Sequence, residues 1–148
     1  MFDLKNPGAQ RLAMEAFFFG YQAFTAKADE MLERRGLSRV HQRIVFFIAC
    51  YPGLSVKSTA GSARRNEAGF EYSAKAVDGM RLVSSATSET DKRMRLLTLT
   101  EDGAHLEQAL RREQVNLLER VFTDVGAAAV EGWLAVNMAL DTAYAAHE

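Results

Sequence analysis

The sequence predicts a mainly α-helical fold with one small β element, and three observations carry this. Apolar residues recur at helical spacing over 9–35, over roughly 104–122 and near 127–146. Leu97 and Leu99 alternate with Thr98 and Thr100, the period of two that belongs to a strand. The 148 residues, 48% hydrophobic and 25% charged, are enough for one globular domain, or for one domain with a dimerisation extension.

The elements follow in chain order. Residues up to Asn6-Pro7-Gly8 are expected to fray. Ala13, Phe17, Phe24, Ala28 and Leu32 mark a helix over 9–35, which Gly36 ends. Phe17, Phe18 and Phe19 are consecutive, so they point round most of that helix. Such a helix needs cover from its own domain and from a second subunit. Ser38 caps a second helix, 39–50, with Ile44, Val45, Phe47 and Ile48 on its core face. Tyr51-Pro52-Gly53 reads as a turn and Leu54-Ser55-Val56 as a short strand. Ser88 to Arg93 reads as a charged hairpin tip, followed by a strand and by Thr100, which caps a helix with Glu101 and Asp102 at its positive end. Leu106, Leu110, Leu117 and Val121 place that helix at about 104–122, with Asp124 or Gly126 breaking it. Val130, Trp133, Leu134, Met138 and Leu140 mark a last helix near 127–146.

Composition narrows the function classes. A single cysteine leaves no internal disulfide framework and no Cys-rich zinc site. With no leader pattern, the expectation is a cytoplasmic protein. The longest apolar run, Ile44 to Tyr51, is too short for a bilayer span. His41, His105 and His147 show no metal-ligand spacing, and there is no nucleophile elbow, phosphate loop or paired-carboxylate motif. We therefore expect no enzyme, no metal and no cofactor. The net charge of −1 alone argues against a nucleic-acid binder, but its distribution differs. Residues 1–56 carry +2, residues 57–100 carry +3 and residues 101–148 carry −6. A basic middle ahead of an acidic final third fits a localised DNA face, and equally ordinary surface scatter.

Asp91-Lys92-Arg93 followed by Leu97-Thr98-Leu99-Thr100-Glu101-Asp102-Gly103 resembles the wing of the MarR family of winged helix-turn-helix transcription regulators, with its D-x-R tip and L-x-L-T-x-x-G strand-to-helix corner. Gly36-Leu37-Ser38-Arg39-Val40-His41-Gln42-Arg43, with Pro52-Gly53-Leu54-Ser55-Val56, is similar to the same family upstream. The resemblance implies one domain over 1–148. Within it, dimerisation helices occupy 9–35 and 103–146, and the winged helix-turn-helix occupies 38–100. It implies a homodimer on double-stranded operator DNA, relieved when a small aromatic ligand changes the spacing of the two heads.

Residues 58–82 depart from that pattern. They should hold two helices, yet Ser58 to Arg65 has no large apolar residue, and Gly69, Ser73 and Gly79 undercut the weak back of Phe70, Ala74 and Val77. Read one base later, permitted codons for Thr59 to Leu82 give LLAVLGVTKQALNIALRQLMECGL. That string has the leucine spacing of a first helix, a Gly-Val turn, a Thr cap and a Lys- and Gln-bearing recognition helix. Our reading is a segment encoded in a shifted frame between two compensating changes. The alternative is a divergent or repurposed reading head.

The candidate DNA-binding residues are Asp91, Lys92, Arg93, Arg95, Arg64, Arg65 and Lys75. In the resembling family the wing arginine enters the minor groove and the aspartate orients it. Arginine suits a narrow groove because its guanidinium is broad, weakly hydrated and always charged. Lys92 and Arg95 read as phosphate contacts, and Arg64, Arg65 and Lys75 remain able to meet phosphates. The bland alternative is a solvated hairpin tip. Phe17, Tyr21, Phe24 and His41 are a weaker candidate ligand pocket, against the commoner role of an aromatic stripe as core. Cys50 follows six apolar residues and is expected to be a small core residue; the competing reading is a redox-sensing thiol.

Overall fold

The computed structural model describes residues 2–57, 64–65, 71–72 and 81–145; for 54–57, 64–65 and 71–72 the backbone alone is described. In chain order the elements are α1 (Pro7–Glu33), α2 (Arg39–Cys50), β1 (Leu54–Lys57), β2 (Arg64–Arg65), β3 (Glu71–Tyr72), β4 (Val83–Thr87), β5 (Met94–Leu99), α3 (Glu101–Val125) and α4 (Ala127–Ala145).

α1 begins two residues earlier than its apolar periodicity indicates. Asn6 Oδ1 accepts from the Gly8 N–H at 2.7 Å, and Pro7 sits at the first helical position, where its missing N–H costs nothing. The expected fraying up to Gly8 is thus replaced by a cap. Gly36, at φ +70, turns the chain, and the Leu37 N–H reaches back to the Leu32 carbonyl at 2.9 Å. α2 has the bounds expected of it. Its start is closed by His41, whose Nδ1 accepts from the Ser38 backbone N–H at 3.0 Å. That is a capping box with histidine in the place of the usual Glu or Gln.

One face of each of α1, α2 and α3 makes the core. Ala28 and Leu32 of α1, Ile44, Val45 and Ile48 of α2, Leu97 of β5, and Leu106 and Leu110 of α3 are buried together with Leu82. Only the last third of α1 joins this core: Phe17, expected on the core stripe, is exposed. Val121, also expected inside, is exposed near the end of α3. α3 runs past the expected 122 to Val125, and of the two breaks expected, Asp124 and Gly126, it is Gly126 at φ +86 that ends it. α4 buries none of its residues within the protomer; Trp133 meets Phe122 of α3 with ring centres 5.6 Å apart.

Cys50 corrects an expectation: it is exposed. The apolar run hides the reason. Ile44, Val45 and Ile48 take the core face, and Cys50 lies one turn beyond exposed Phe46, on the outer side of the same helix.

The main sheet is antiparallel, in the order β1-β5-β4. Leu54 pairs with Leu97 and Lys57 with Met94 on one side; Val83 pairs with Leu99 and Thr87 with Arg95 on the other. The β4–β5 hairpin is the wing. A separate two-stranded ladder pairs Arg64 with Tyr72 and Arg65 with Glu71. Strand at these four positions is not the helix that the family pattern places there. The rest of the 58–80 stretch lies outside the described residues, Lys75 and the expected recognition helix included.

The wing returns to the helical lobe through one corner. Thr100 Oγ1 accepts from the Gly103 N–H at 3.1 Å and donates to the Arg81 carbonyl at 3.0 Å, while the Thr100 N–H reaches the Leu82 carbonyl at 3.0 Å. Thr100→Ala removes the cap and the bond to Arg81 together. We expect it to cost about 1–2 kcal/mol in urea unfolding, with an unchanged m-value. A cost near zero would show that the corner is held by the backbone bond alone.

Candidate functional site

The wing tip is built from short polar residues that tie the backbone into a tight loop. Ser88 N–H donates to the Met94 carbonyl at 2.9 Å and Met94 N–H to the Asp91 carbonyl at 3.0 Å. Ser88 Oγ accepts from the N–H groups of Thr90, at 3.3 Å, and Asp91, at 3.4 Å. Such side chain–backbone bonds are how Ser and Asp organise turns.

Asp91 then holds Arg93. Its Oδ1 accepts from the Arg93 backbone N–H at 3.0 Å and from Nε–H at 3.3 Å. This engages the inner edge of the guanidinium only, and the Arg93 side chain is 87% exposed. An ion pair this open contributes little stability. Its effect is directional: the charged fork is carried, exposed, at the end of a two-stranded ribbon. Lys92 is exposed beside it.

Arg95 does not belong to the tip. Side chains alternate along β5, and Arg95 shares the face of buried Leu97, half-buried itself. The basic residues of the hairpin thus divide into Lys92 and Arg93 at the end and Arg95 on the inner face. Arg64 and Arg65 lie on the separate ladder, paired in register with Tyr72 and Glu71.

The candidate pocket residues line neither of two cavities found among the described residues. Phe17 and Tyr21 are exposed on α1, Phe24 is half-buried, and His41 Nδ1 is engaged in the α2 cap. The Tyr21 ring face is occupied by the Arg39 guanidinium, 5.6 Å from its centre. A shallow depression of about 380 Å³ lies elsewhere, at the start of α1, between Phe2, Asp3, Asn6, Gly8, Ala9 and Leu12. Among the described residues no group of three or more His, Cys, Asp or Glu side chains is arranged to hold a metal. No described helix is long and apolar enough to cross a membrane.

Two features escaped the sequence reading. One is Arg39, whose partners Tyr21 and Asp29 lie across a turn; a cation placed at the first position of a capped helix was the available signal. The other is the reason for Gly103. A Cβ there would collide with the Leu82 carbonyl oxygen and stand 3.0 Å from its carbon. The glycine of L-x-L-T-x-x-G is thus a steric requirement of this corner.

No protein-family model matches the chain. It is 33% identical over 130 residues to the HTH-type transcriptional regulator PetP of Rhodobacter capsulatus, across 88% of this chain and 78% of that protein. Among solved structures it is similar to the MarR family transcription regulator SP03579, with a TM-score of 0.67 at 16% identity, covering 92% of this chain and 90% of the other. AbsC, a MarR family transcriptional regulator from Streptomyces coelicolor, superposes with a TM-score of 0.65 at 16% identity over 97% of both chains. The overall fold, mainly helical with a small antiparallel sheet, agrees with these structures, and the chain belongs to the MarR family of winged helix-turn-helix transcription regulators.

Proposed function

We propose that the protein acts in the cytoplasm as a homodimer on double-stranded operator DNA, with the wing as its surviving DNA contact, and that a small aromatic ligand shifts the two heads. The observation that carries the DNA reading is the Asp91-held, outward-facing Arg93 at the wing tip. A guanidinium presented this way reads groove width and charge, and Lys92 beside it meets phosphate.

The dimer reading rests on apolar surface. Large apolar side chains stand exposed along two helices: Phe17, Phe18 and Phe19 of α1, and Trp133, Val136 and Met138 of α4. Helices 7–33 and 101–145 thus form the dimer lobe, and residues 38–100 the head.

Arg93→Ala tests the DNA reading. In an electrophoretic shift at low salt, against the gene's own upstream region, affinity falls and the log–log salt slope flattens by about 1. Asp91→Ala weakens binding less, because it only orients Arg93. Tight binding by the parent chain that is untouched in affinity and slope by Arg93→Ala would remove the wing from the interface.

The strand pairing of 64–65 with 71–72 favours a second reading, a dimer of this fold that no longer reads base edges. The shifted-frame origin of residues 59–82 would account for it. Sequencing the gene across codons 56–84 decides the origin: close relatives that carry this same segment in one clean frame would overturn the shift.

A further inference from the structure

Arg39 stands where its own helix would not place it. It opens α2, at the positive end of the helix dipole, and the first turn of α2 has no acidic residue. Its partners come from α1. Nε lies 3.0 and 2.9 Å from the two carboxylate oxygens of Asp29, and Nη2 lies 2.8 Å from Oδ2. The guanidinium carbon is 5.6 Å from the centre of the Tyr21 ring. Tyr21 and Asp29 are eight residues apart, about 12 Å along α1. One side chain at the start of α2 therefore grips more than two turns of its neighbour. The hydrogen bonds that Arg39 donates to Asp29 are the main cause that holds its guanidinium above its ordinary pKa.

The pair is half-open, with side chains 47% and 32% exposed, so its contribution to stability is small. What a planar fork on a carboxylate and an aromatic face supplies is direction. The turn between the helices makes direction matter. Gly36 at φ +70 reverses the chain within a few residues, and the apolar contact beneath it is made by Leu32 and Leu37. α1 carries the exposed phenylalanines and α2 opens the head, so their mutual angle decides where the wing points.

We propose that Asp29, Arg39 and Tyr21 form a clamp that fixes the crossing angle of α1 and α2, and with it the position of the head on the lobe. Arg39 is a positioning residue here. The purpose of the clamp rests on the dimeric-regulator reading; its geometry does not.

The test needs neither DNA nor the dimer. In a Cys50→Ser background, spin labels are placed through Ala26→Cys on α1 and Thr90→Cys on the wing. Labelled chain is diluted into unlabelled chain, and the intraprotomer distance distribution is read by pulsed dipolar spectroscopy. Arg39→Met is expected to broaden the distribution by about twofold, and Asp29→Asn to do the same without altering side-chain shape. Arg39→Lys, which keeps the charge and loses the fork, should fall between parent and Arg39→Met. Far-UV circular dichroism should be unchanged in all three. If Arg39→Met and Asp29→Asn both superimpose on the parent distribution, there is no clamp. Sedimentation of the parent as a monomer would overturn the dimer reading alone.

Discussion

Gly103→Ala is expected to be the most damaging single-methyl change in the described fold. The added Cβ meets main chain: the carbonyl of Leu82, which is already the acceptor for the Thr100 N–H. A flexible side chain could turn aside, but a carbonyl at the start of β4 cannot move without breaking that bond and shifting the strand. Overpacking against backbone of this kind costs about 3 kcal/mol or more. Urea unfolding at matched protomer concentration checks it, since association would otherwise shift the midpoint. A variant within about 0.5 kcal/mol of the parent would mean that the corner opens more easily than its geometry implies.

Phe18→Glu should separate the two copies while leaving the protomer intact. Phe18 is 66% exposed, the most open of the three consecutive phenylalanines. Within the protomer its replacement should stay inside about 0.5 kcal/mol, as for other surface positions. In a symmetric interface each dimer would carry two carboxylates in an apolar contact, without partners. We expect the dissociation constant to rise by at least about 100-fold, the scale of a hot-spot loss. Sedimentation velocity at micromolar concentration reads this directly. A parent chain that sediments as a monomer, or a Phe18→Glu chain that stays dimeric, would place the interface elsewhere or nowhere.

Where local chemistry decides an outcome, the sequence was readable. α2 has a cap before it and a Tyr-Pro-Gly turn after it, and its bounds came out as expected. Thr100 and Gly103 were legible as a capped helix start. Apolar spacing did less well at helix ends: α1 starts at its Asn-Pro cap, and α3 continues until a positive-φ glycine stops it. Cys50 was misread because six apolar neighbours hide a helix with two faces, and only one of them is inside. Arg95 was read with Lys92 as a phosphate contact, and strand parity puts it on the face of Leu97 rather than beside Lys92. Arg39 stood out only as a cation at the start of a capped helix, and its partners were not legible. Its partners lie ten and eighteen residues upstream, and the Gly36 turn alone brings them together.

The corner between wing and lobe has a consequence for what mutation can do to this chain. On the head side it is closed by main-chain carbonyls, those of Arg81 and Leu82, and on the lobe side by Thr100 and a glycine. Carbonyls are common to every residue type, so this coupling asks almost nothing of the side chains that precede it. Nearly any coding change confined to the 58–80 stretch, even one that rewrites two dozen residues at once, meets the lobe through the same two acceptors. Heredity can therefore experiment with the reading segment while the fastening stays fixed. The positions under strict selection at this joint should be Thr100 and Gly103, on the far side of it.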